Sequence, residues 1–103
     1  MLTFIEDEKF TVAADRLLAA DELFDLMQKL AKSPEAGDVI PGSGGCHKLR
    51  FAAKGRGSRG GARVIYFYRS HAGQILLLEI YAKNKKENLS ASELKILKAK
   101  VKP

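Results

Sequence analysis

Between Cys46 and Arg69 the chain places Lys48, Arg50, Lys54, Arg56, Arg59, Arg63 and Arg69, and no aspartate or glutamate. Cations without an internal counter-charge suit an external polyanion, and a phosphate chain is the obvious guest. Lys48 and Arg50 stand two residues apart in a β-prone run, so on a strand they leave from one face. Arg63 opens a second such run, ARVIYFYR, and shares its face with Ile65 and Phe67. In a third run, ILLLEIYAK, Glu79, Tyr81 and Lys83 align. If the three runs are neighbouring strands, Lys48, Arg50, Arg63 and Lys83 make a cationic strip with Tyr81 beside it. Such a strip suits the phosphates of a polyanion.

The loop between the first two runs, Lys54 to Gly61, adds Lys54, Arg56 and Arg59 and contains a literal G-x-G-x-x-G at Gly55, Gly57 and Gly60. A dinucleotide site is excluded, because that fingerprint needs a helix directly after the loop and a β-prone run follows here. A protein-kinase glycine loop does join two strands, but the chain is far too short for that fold. The loop reads either as a charged hairpin tip or, preferably, as a clamp on a phosphate backbone. His47 falls on the opposite face from the strip by parity and His71 in a turn, so both read as structural or merely exposed rather than catalytic. Two scattered histidines and one cysteine give no metal-ligand set, and no cofactor is expected.

The elements that must position the strip follow from hydrophobic spacing. Met1 to Ile5 is apolar and β-compatible and can add a strand at a sheet edge. Phe10, Ala13, Ala14, Leu17 and Leu18 recur at helical spacing and predict an amphipathic helix over about residues 8–19. Leu23, Leu26, Met27, Leu30 and Ala31 predict a second, starting near Asp21 as N-cap and ending by Ser33, ahead of Pro34. Residues 33–45 read as loop by their Pro and Gly content. Strands are expected at 46–53, 62–69 and 75–83, linked as an antiparallel meander, with HAGQ as the last turn. Leu49, Phe51, Val64, Tyr66, Leu76, Leu78 and Ile80 should lie beneath the helical hairpin. Ser90-Ala91-Ser92-Glu93 is a capping box for a C-terminal helix to about Val101, burying Leu94, Leu97 and Val101 while Lys95, Lys98, Lys100 and Lys102 stay wet. The fold class is therefore α+β: two N-terminal helices on a small antiparallel sheet, plus a C-terminal helix, in a single domain over residues 1–103.

Charge is divided unevenly. Residues 1–38 carry four Lys/Arg and nine Asp/Glu, a net of −5, and residues 39–103 carry fourteen and three, a net of +11, giving +6 for the chain. The basic part is an electrostatic footprint for nucleic acid. No hydrophobic run approaches the length of about 20 residues that spans a bilayer, and no basic region precedes an apolar stretch at the start, so a soluble, unprocessed protein is expected. The lone Cys46, read as a half-buried residue at a strand start, rules out an intrachain disulfide and fits a reducing cytoplasm.

The run PEAGDVIPGSGGCHKLRFAAKGRGSRGGARVIYFY followed by LLLEIYAKNKKENLSASE closely resembles the RelE/HigB-like toxins of bacterial type II toxin–antitoxin systems, over about two thirds of the chain. The resemblance implies a ribosome-dependent mRNA endoribonuclease that needs no metal. In that chemistry the ribose 2′-OH attacks the adjacent phosphate, leaving a 2′,3′-cyclic phosphate and a 5′-OH. By position it implies active-site roles for Lys48, Arg50, Arg63 and Lys83, with Arg63 as the guanidinium fork on the scissile phosphate; for proton transfer Tyr81, or a lysine with a depressed pKa, would stand in. Lys54, Arg56, Arg59, Lys85 and Lys86 would grip RNA or ribosome. Many relatives carry a Tyr or His in the C-terminal segment, and residues 84–103 contain neither. The implied partners are ribosome, mRNA and a cognate antitoxin of helix-turn-helix type. The competing reading is a non-catalytic nucleic-acid- or ribosome-binding module; a third is a partner subunit whose basic face only docks an acidic protein.

Overall fold

A computed structural model describes residues 2–53, 61–86 and 88–102. The chain runs β1 (Thr3–Glu6), α1 (Glu8–Leu17), α2 (Ala20–Lys32), β2 (Asp38–Val39), β3 (His47–Phe51), β4 (Ala62–Arg69), a 3-10 turn (Ser70–Ala72), β5 (Gln74–Ala82) and α3 (Ala91–Lys100). The strands form one sheet in the order β1-β5-β4-β3-β2. The expected meander is its centre, since β3, β4 and β5 pair antiparallel, but β1 joins the edge parallel to β5 and makes the sheet mixed.

Two helices pack on one face and the third on the other. Phe10, Ala14 and Leu18 and, from α2, Leu26 and Leu30 close over Leu49, Val64, Tyr66, Ile75, Leu77 and Ile80. On the opposite face Leu97 and Val101 cover Cys46, Ile65, Leu78 and Tyr81. Cys46 is thus completely buried rather than half-buried. The face expected to carry only the cationic strip is therefore half roofed by α3, which leaves the β2–β3 side open.

Parity misplaces part of β5. Ile65 pairs with Glu79 while the next residue, Tyr66, pairs with Leu77, so Leu78 is the extra residue of a bulge. Leu76 and Leu78 consequently join the α3 side with Tyr81, and only Ile80 of the three leucine-type residues expected beneath the hairpin reaches it. Two helix ends also differ. The α2 N-cap is Ala19, two residues ahead of the expected Asp21, because the Glu22 carboxylate accepts the Ala19 N–H at 2.9 Å. Asp21 then sits in the first turn, where the helix dipole favours it. In α3 the Ser90–Glu93 capping box is present, Leu97 and Val101 are buried, Leu94 is half-buried, and Lys100 is tied to Asp7 at 3.0 Å rather than free in solvent.

The stretch expected to be all loop contains β2, whose Asp38 and Val39 pair with Lys48 and His47. Gly37 sets this strand in place. Its N–H donates to the Tyr66 hydroxyl at 3.0 Å, and a Cβ there would stand 2.8 Å from the Lys48 carbonyl oxygen. The atoms that Cβ would meet, in Lys48 and Leu49, are all backbone and cannot swing aside, so Gly37→Ala should push β2 off β3 and cost about 1–3 kcal/mol. Urea unfolding followed by fluorescence or circular dichroism measures this; an unchanged midpoint would refute the close approach. Beyond β2, the buried Ser43 braces the turn into β3, its hydroxyl donating to the Ile40 carbonyl and accepting from the Cys46 N–H.

Candidate functional site

The strand register turns the sequence strip into two rows across the sheet. One row runs Asp38, Lys48, Ile65, Glu79 from β2 to β5, and the next runs Arg50, Arg63, Tyr81 from β3 to β5. Arg50 and Arg63 are direct cross-strand partners. Like charges opposite each other destabilise a sheet unless a counter-charge lies between them.

A cavity of about 510 Å³ opens over these rows, lined by Asp38, Lys48, Arg50, Arg63, Lys83, Lys86 and Asn88. The four strip cations are thus brought to one place, together with Lys86. Arg50 and Lys83 are exposed and Lys48 and Arg63 half-buried. Arg63 Nη1 donates to the Ala62 carbonyl at 3.2 Å, which fixes the base of its fork. Among the described residues none of Lys48, Arg50 and Lys83 forms an ion pair. Lys85 is exposed but does not line the cavity, and Lys54, Arg56 and Arg59 lie outside the described residues. Asp38 and Asn88 were not anticipated. A two-residue strand has no periodicity to reveal it, although Asp38 follows the turn-forming Gly37 inside the stretch that carries the family resemblance.

Tyr81 does not line the cavity either. It is buried under α3, its hydroxyl has no hydrogen-bond partner among the described residues, and Lys86 Nζ lies over its ring, 5.2 Å from the centroid. Burial pushes its pKa up, with Glu79 and Glu93 adding to the effect against Lys86 and Arg63. A phenol held protonated and shut away from the cavity is not placed to accept a proton there. His47 is buried on the hairpin side and stacks on Tyr66 with ring centroids 5.3 Å apart, as its parity implies.

Lys86 is held between two carboxylates, Glu79 at 3.3 Å and Glu93. Burial opposes its charge, but the Glu93 hydrogen bond and the Glu79 charge outweigh that and raise its pKa. Lys86 is thus an ammonium committed to protein partners, less available to RNA than the resemblance implied. In return it lowers the Glu93 carboxyl from 4.5 to about 2. A group whose folded pKa is depressed contributes stability that is present above its unfolded value and lost as pH falls through the folded one. The melting temperature should therefore drop between pH 4.5 and about 2, and Glu93→Gln should flatten that limb; a limb unchanged in the variant would show that other carboxylates carry it.

The family model for the RelE toxin of the RelE/RelB toxin–antitoxin system matches residues 8–102. The chain belongs to the RelE toxin family. Among solved structures, a double arginine-to-alanine mutant of E. coli toxin RelE in the free state superposes with a TM-score of 0.59 at 19% identity, over 96% of this chain and 95% of that one. The RelE structure from the intact E. coli RelBE toxin–antitoxin complex gives 0.57 at 19% identity, over 78% of this chain and 94% of that one. Isolated E. coli RelE gives 0.54 at 18%, over 98% and 100%. At these identities the structures show a shared RelE fold.

Proposed function

We propose that this chain is the toxin of a type II toxin–antitoxin module and cuts mRNA on the ribosome. The observation that carries this reading is the Arg50–Arg63 cross-strand pair at the floor of an open cavity that also gathers Lys48 and Lys83. Membership of the RelE toxin family supports a ribonuclease-type toxin, and the cations around the cavity suit a single phosphodiester. In this reading Arg63 and Arg50 grip the non-bridging oxygens of the scissile phosphate, and their charge stabilises the pentacoordinate phosphorane. Lys48 and Lys83 flank it as ammonium donors. Lys54, Arg56, Arg59 and Lys85 contact RNA backbone farther out, and the ribosome presents the codon in a conformation that brings its 2′-hydroxyl in line. An antitoxin, a small helix-turn-helix protein in this proposal, covers the cationic face and blocks entry. Every described step is performed in the cytoplasm, where translating ribosomes are found.

A second reading, binding without cleavage, draws on the sequestered Tyr81 hydroxyl. The two separate in one experiment: 5′-end mapping of a defined mRNA incubated with the protein, with and without translating ribosomes. Cuts that need ribosomes and leave 5′-OH ends support the toxin. A folded protein that binds ribosomes and cuts nothing would establish the binding module instead.

A further inference from the structure

We propose that Asp38 is the general base of the cleavage reaction, its carboxylate taking the proton from the attacking ribose 2′-hydroxyl. This rests on the nuclease reading above. The cavity lining narrows the choice. Lysine ammonium and arginine guanidinium groups are donors without an acceptor site, and the Asn88 amide does not take up a proton under these conditions. Among the described lining residues Asp38 alone carries a carboxylate. The groups that serve elsewhere as bases are turned away: Tyr81 is roofed by α3, and His47 is stacked on Tyr66 on the far side of the sheet.

The register puts Asp38 where the base is needed. It is the cross-strand partner of Lys48, so the two side chains share a face with Cβ atoms about 5 Å apart. Lys48 is two residues from Arg50, which pairs with Arg63. Asp38 and the arginine pair line one cavity, so a phosphate held on the arginines shares that cavity with the carboxylate. The carboxylate is exposed and forms no ion pair with a described residue, so it stands ready to accept. The Gly37 N–H on Tyr66 and the close approach of Gly37 to Lys48 hold the strand that carries it.

The 2′-oxygen passes its proton to the Asp38 carboxylate and forms the O2′–P bond. The P–O5′ bond breaks, and the leaving 5′-oxygen takes a proton from a cavity lysine ammonium. Asp38 and the lysine then return to their starting states by exchange with water.

The test compares wild type, Asp38→Asn and Asp38→Glu for single-turnover cleavage of a ribosome-bound mRNA across pH, with RNA and ribosome binding measured beside it. A second mRNA carries a 2′-deoxy nucleotide at the cut site. Asp38→Asn should cut about a hundredfold more slowly yet bind as well or better, since a negative charge near phosphate is gone. It should also lose the acidic limb of the pH–rate profile, while Asp38→Glu keeps that limb and most of the rate. An Asp38→Asn variant with the wild-type rate and profile overturns the proposal and leaves the nuclease reading intact. No cleavage by wild type, or equal cleavage of the deoxy mRNA, overturns both.

Discussion

Arg63→Ala is expected to slow ribosome-dependent mRNA cleavage by about a thousandfold while leaving the protein at least as stable as the wild type. The two halves of this result have one cause. Arg63 faces Arg50 directly across the β3–β4 ladder, and no carboxylate among the cavity-lining residues lies nearer to that pair than Asp38 beside Lys48. Without a bound anion the two guanidinium groups repel, so removing one relieves the fold by some tenths of a kcal/mol. With a scissile phosphate present the same pair supplies two forks to the charge that develops in the transition state. Arg63→Lys should recover little of the rate, because an ammonium keeps the charge and loses the planar fork. Cleavage assays and thermal melts on wild type, Arg63→Ala, Arg63→Lys and Arg50→Ala decide it. Parallel loss of RNA binding and cleavage in Arg63→Ala would mean that the pair only binds. A melt that falls by several degrees would mean that Arg63 is structural.

The strip itself was legible because its signal is local. Lys48 and Arg50 share a strand face by parity alone, and a β-prone run ending at Arg69 needs no tertiary context to place Arg63. The same parity failed at Leu78, because a bulge arises from how two strands fit and leaves no mark on composition. It also could not show where α3 would dock. Leu94, Leu97 and Val101 announce an apolar stripe, but which sheet face receives it depends on the chain's route after β5. That route decides the fate of Tyr81: a strand tyrosine beside four cations reads as a site residue until a helix covers it. Asp38 was hidden for a different reason. Its strand is two residues long, too short for any period, and its role depends on a partner ten residues away. Charge imbalance pointed to the cations and, by the same logic, away from the one acid among them.

The largest effect on stability is expected at Tyr66, through a contact that also reaches the site. Tyr66 is fully buried at the centre of the sheet, packed beneath α1 and α2, stacked on His47 and hydrogen-bonded through its hydroxyl to Gly37. Tyr66→Ala removes the ring from a core that cannot refill the space and should cost about 3–5 kcal/mol. That is a large share of the roughly 5–15 kcal/mol available to a small domain, and it should move the urea midpoint down by about 1.5–3 M. Tyr66→Phe separates the ring from the hydroxyl. It keeps the packing, leaves the Gly37 N–H without its acceptor, and should cost only about 1 kcal/mol. The more informative consequence is functional. Gly37 immediately precedes Asp38, so loosening its anchor lets β2 drift from Lys48, and Tyr66→Phe should lose more cleavage than its small instability accounts for. Equal costs for Phe and Ala would show that the hydroxyl contact carries the site's stability, whereas wild-type cleavage by a fully folded Tyr66→Phe would show that β2 is positioned by β3 alone.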